Sequence, residues 1–161
     1  MRFAFLKKPL VKNILSALAV IFFGFILLNL AFLFDSLFQN LIIGLLRLFT
    51  PVDLMGNFHW LPPIMHFLFM IVIGLISWLV FKSKLGALYK AIFMTVPLAV
   101  VFVTMGMFLG QWPTVVYSIG GLLFIGILFY FFRTKKPWLY YYTLILISLL
   151  MLLVGLLKVE I

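Results

Sequence analysis

Few side chains in this sequence can do chemistry, and most of them fall close together. Its 161 residues include only 3 Asp and Glu and 2 His. Asp35, Asp53, His59 and His66 lie in one stretch, with Arg47 between them and Asn29 just before it. A histidine beside a carboxylate can act as a general base or a ligand, the carboxylate orienting the ring. The catalytic candidates are therefore His66 with Asp35 or Asp53, and the reaction would be hydrolysis or modification of a lipid. The binding candidates are Asn29, Arg47, His59, His66 and Gln111, which together would form a polar funnel for a small molecule, an ion or a lipid headgroup. Arg47 suits phosphate or carboxylate, but an arginine there can equally extend to headgroups. The alternative for Asn29 and His66 is structural, since polar side chains also hydrogen-bond between membrane helices.

Other chemistries lack their residues. The chain has no cysteine, so thiolate catalysis and disulfides are excluded. His59 and His66 are separated by Pro62-Pro63 and do not share the i, i+4 spacing of paired ligands on a helix, so no metal site is expected. There is no Gly-rich phosphate loop following a strand, no His-Glu-x-x-His and no aromatic cofactor box, so no cofactor is expected either.

The elements that must carry these residues are apolar. The composition is 67% hydrophobic and 9% charged, against roughly 25% charged in a soluble domain. Lipid must solvate most of the exterior. Runs of about 20 apolar residues suffice to cross a bilayer as helix. Five such spans are expected, at about 14–34, 64–81, 91–109, 115–132 and 139–157. The first follows a basic start but is longer than a signal-peptide core, which predicts an uncleaved span. Within Ser36–Thr50, the residues Ser36, Asn40, Gly44 and Arg47 recur at helical spacing among leucines and phenylalanines. At about 15 residues this segment is too short to span, and predicts a separate interfacial or re-entrant helix at about 36–50. The Thr50-Pro51-Val52-Asp53 turn should end it. Pro97 lies inside the third span and should kink it or be compensated by neighbours such as Thr95.

Charge sets the orientation. Of the 12 Lys and Arg, all but Arg47 and Lys158 fall in three segments: Arg2, Lys7, Lys8 and Lys12; Lys82, Lys84 and Lys90; Arg133, Lys135 and Lys136. Five spans place all three on one side, whereas four or six would not, and the positive-inside rule makes that side cytoplasmic. The expected fold is thus an all-α, polytopic helical membrane bundle, one domain over 1–161, N-terminus in and C-terminus out, with a short amphipathic helix on the outer face. The net charge of +9 then reports topology, with anionic headgroups at the inner face as partners and no nucleic acid. A bacterial plasma membrane is the expected location.

Two outlines are similar to known families. Pro62-Pro63 before the second span resembles the tryptophan-rich sensory (translocator) family, whose later Trp- and Asn-rich pattern is absent here. His66-Phe67-Leu68-Phe69 resembles the helix entry of VanZ-like proteins, whose further acidic and Gln positions are unmatched. Neither likeness carries over a site. With no charge expected inside any span, the sequence points first to a non-enzymatic accessory, regulatory or scaffold component of a membrane assembly. A transporter or binding protein using the outer funnel, and an enzyme using His66, are the alternatives. Gly106 and Gly110 form one GxxxG, and Gly120, Gly121 and Gly126 line the fourth span, for packing within the bundle or self-association.

Overall fold

The structure is a computed structural model that describes residues 9–49 and 61–156. Five helices follow in order: α1 Pro9–Phe49, α2 Leu61–Lys82, α3 Ala87–Leu109, α4 Pro113–Arg133 and α5 Trp138–Leu156. The described residues contain no strand. Each helix is long and apolar enough to cross a membrane, which suggests a multi-pass membrane protein. A continuous helix is the local solution for such sequences, because it satisfies every backbone group without water.

The first element departs from expectation. The predicted span at 14–34 and the separate short helix at 36–50 are one helix, unbroken through Phe49, and Thr50 lies outside the described residues. No Gly or Pro stands between Phe34 and Gln39 to end a helix there. The charge expected to pull Asp35 into a loop is met by a partner instead. At 41 residues α1 measures about 61 Å, roughly twice a hydrocarbon core.

α3 is the centre of the bundle and packs against all four other helices. Its small residues permit this. Ala91 and Ala99 are fully buried, and Gly24 of α1 lies against Thr95 so closely that an added Cβ would sit 2.7 Å from the threonine Cγ2. Thr95 donates its hydroxyl to carbonyl oxygens of Ile92 (2.8 Å) or Gly24 (3.3 Å). It therefore ties α3 to α1, and does not serve the Phe93 carbonyl that Pro97 leaves without its usual donor. Thr143 of α5 bonds Ala91 O in the same manner, at 3.2 Å. Around these contacts the core holds Leu28, Met94, Leu98, Phe131, Tyr140, Leu144 and Ile147. α4 is peripheral, and Phe131 is its one buried residue. Nothing approaches within 4 Å of a Cβ built on Gly106, Gly121 or Gly126, so these glycines mark no helix crossing inside the bundle.

The connections at the basic end are short and capped. Lys90 Nζ donates to Phe81 O (2.8 Å) and Ser83 O (2.7 Å), placing a cation on the carbonyl end of α2. Lys82 stands over the Trp78 ring and Lys136 over Tyr130. After α4 the chain turns through Lys135, at φ 48°. Lys136 N then bonds Phe131 O and Lys135 N bonds Phe132 O, the double closure of a Schellman end.

Candidate functional site

Three helices each contribute one polar side chain to a single contact, buried at Asp35 and His66 and half-buried at Thr104. α1 supplies Asp35, α2 His66 and α3 Thr104. His66 Nδ1 lies 2.9 Å from Asp35 Oδ2, and His66 Nε2 lies 3.0 Å from Thr104 Oγ1. Thr104 in turn donates to Val100 O at 2.6 Å. Gln39, one turn beyond Asp35, donates its amide to the other carboxylate oxygen at 3.1 Å. His66 is 1% exposed and Asp35 7%. Phe69, itself buried, lies beside both the His66 ring and Phe34. Among the described residues Asp35–His66 is the only pairing of an acid with a group able to carry positive charge.

The level of this contact follows from helical rise. From Lys82 up α2 to His66 is about 24 Å, and from Ala87 up α3 to Thr104 about 26 Å. In a hydrocarbon core of roughly 30 Å, the site sits near the end remote from the basic loops. Asp35 reaches this level because α1 does not stop. Asn29 consequently lies about 9 Å below it. Asn29 is exposed, and its amide bonds Phe25 O of its own helix at 2.8 Å.

The other candidates do not converge on the site. Arg47 is exposed in the last turns of α1, and Gln111 is exposed in the α3–α4 turn. Asp53 and His59 lie outside the described residues. Thr104 is the member that sequence reasoning missed. A threonine in an apolar helix carries no charge and is as often bonded only to its own backbone, as Thr104 also is. The available signal was its distance from the basic loop, which matches that of His66.

The order carboxylate, imidazole, hydroxyl is that of a relay that activates a nucleophile. Here the hydroxyl donates to Val100 O within α3. Thr104 also lies within continuous helix, whose N–H groups are consumed by the helix itself and cannot stabilise an oxyanion. The arrangement ties three helices together through one series of side-chain contacts. Among the described residues no three His, Cys, Asp or Glu side chains gather as a metal site would need. A groove of about 510 Å³ lies at the opposite end, between the start of α1 and Trp138, lined by Pro9, Leu10, Asn13, Ile14 and Ala17. No protein family, curated protein or solved structure matches this chain.

Proposed function

We propose that this chain is a non-enzymatic component of a membrane assembly, a scaffold or accessory subunit that binds its partner along the overhanging C-terminal end of α1. The observation that carries the reading is the overhang of α1. Measured from the shared Asp35–His66–Thr104 contact, α2 continues for about 7 Å to Leu61 and α3 for about 7 Å to Leu109, but α1 for about 21 Å to Phe49. Along that overhang Leu41, Leu45 and Leu48 are 61%, 51% and 76% exposed. They recur at i+4 and i+3, so they form one stripe. Leucines beyond the level at which neighbouring spans end have little hydrocarbon to cover them, and an apolar stripe there suits a partner helix.

In this reading the basic loops face the cytoplasm of a bacterial cell, against anionic headgroups, and the overhang stands on the outer side. The interior polar residues fit the same role, since Asp35, His66, Thr95, Thr104 and Thr143 all bond across helices or to a carbonyl. The test is purification in mild detergent of the natural chain and of Leu41→Asn/Leu45→Asn. A stoichiometric membrane partner should accompany the natural chain and be lost from the variant, with the thermal midpoint of the variant unchanged. Recovery of a lone monomer carrying a small molecule would sink the proposal.

A further inference from the structure

We infer that α1 carries, on the side turned away from the bundle, a seam for a second copy of this chain, built on Asn29, Ser36 and Asn40. This is a different face of α1 from the stripe of Leu41, Leu45 and Leu48, and the inference does not rest on the scaffold reading.

Helical spacing defines the seam. At 3.6 residues per turn, Asn29, Ser36 and Asn40 fall within about 40° of one another. All three are exposed, and their face is turned away from the buried Val20, Gly24, Leu28 and Asp35. Phe22, Ile26 and Leu33, 63%, 39% and 56% exposed, fill the intervening positions. The series 22, 26, 29, 33, 36, 40 alternates steps of four and three, the rhythm by which one helix packs along another in a coiled coil. It runs unbroken along a single helix.

The polar members say what is missing. In a membrane bundle such side chains normally turn inward. Asn29 does not. Its amide donates to Phe25 O at 2.8 Å, the one hydrogen bond its side chain makes among the described residues. A second amide hydrogen and the oxygen Oδ1 remain, turned towards lipid, where an unmade hydrogen bond is costly. Asn40 repeats the pattern three turns on, its amide on Ser36 O at 2.9 Å and its own oxygen unbonded among the described residues.

Complementarity selects a second copy as the occupant. Two copies in one membrane share one orientation, so their α1 helices run parallel. About a twofold axis along the bilayer normal, each seam residue meets its own counterpart at the same depth. Asparagine and serine both donate and accept, so each satisfies itself across that axis. From Phe22 to Asn40 the seam holds no charge to repel its copy. A buried asparagine in such a seam also fixes register and strand number. Arg47, next along this face, would meet a like charge, so the contact ends below it, where α1 stands clear of α2 and α3 and the long side chain can extend into water.

The chain has no cysteine, so a single introduced thiol reports on the seam without background. Leu33→Cys lies on it, and Phe34→Cys, 53% exposed, lies at the same depth but about 100° around the helix. With the full chain in phospholipid vesicles, copper phenanthroline should link Leu33→Cys into a disulfide dimer and leave Phe34→Cys largely unlinked. Sedimentation equilibrium in mild detergent should show the natural chain in a monomer–dimer equilibrium. Asn29→Leu should weaken that equilibrium roughly five- to thirty-fold, the size of one interhelical polar contact, with its thermal midpoint at high dilution not lowered. Asn29→Gln, which keeps the amide, should restore most of the loss. A natural chain that stays monomeric at every detergent ratio overturns the inference. So does equal linking at the two thiols, or a dimer that Asn29→Leu leaves as strong.

Discussion

At the scale of single residues, the Asp35–His66 contact shows how a membrane helix can hold a carboxylate. Asp35 is 7% exposed inside a long apolar helix, a position that only a partner makes tenable. The partner matters more than either residue alone, which gives an asymmetric prediction. His66→Ala leaves a buried carboxylate with only Gln39 to bond it, and removal of one member of such a pair should destabilise by about 3–5 kcal/mol. Replacing both residues by apolar ones of similar size, Asp35→Leu/His66→Met, should cost far less, because no charge is then stranded. Thermal midpoints in one detergent compare the two; equal losses would mean that packing, not charge, dominates there. Sequence reasoning reached Asp35 and His66 because ionisable residues in an apolar chain are conspicuous. It missed Thr104 because a hydroxyl gains meaning only from the side chain opposite it, and periodicity does not supply that.

At the scale of elements, the four later helices were legible because Ser83–Gly86, Gly110–Trp112 and Thr134–Pro137 contain breakers, capping residues and charge between uniform apolar runs. α1 was misread at Asp35 for the converse reason. A lone acid in an apolar run looks like a boundary when its counter-group lies far along the chain on another helix. The turn after α4 shows local strain that the sequence does not announce. Lys135 takes φ 48°, a conformation that costs a side-chain-bearing residue roughly 1–2 kcal/mol and glycine little. Glycine is the usual residue at this position of a Schellman end. Lys135→Gly should therefore stabilise the bundle by about 1 kcal/mol, less the entropy a glycine adds to the unfolded chain. Lys135→Ala, which removes the same charge without relieving the backbone, should not raise the thermal midpoint.

At the scale of the whole molecule, two ends of unlike chemistry emerge from one charge pattern. One end carries Lys82, Lys84, Lys90, Arg133, Lys135 and Lys136, partly engaged with Trp78, Tyr130 and the carbonyls closing α2. The other carries the Asp35–His66–Thr104 contact, and beyond it the α1 overhang. A polar contact shared by three helices resists sliding of any one of them, so it fixes the relative height of α1, α2 and α3. In the proposed orientation the basic loops set which end stays in the cytoplasm, because short Lys- and Arg-rich connections resist translocation. These two constraints act on the same helices from opposite ends and give a topology prediction. Reporter fusions at Gly86 and within Thr134–Pro137 should read cytoplasmic, and fusions at Asn57 and after Ile161 should read external. Neutralising Lys82, Lys84 and Lys90 together should weaken that preference and yield mixed reporter signals at Gly86, whereas Asp35→Asn should leave the orientation unchanged. A cytoplasmic reporter at Asn57 in the natural chain would show that α1 does not cross, and would remove the common level from which the overhang is measured.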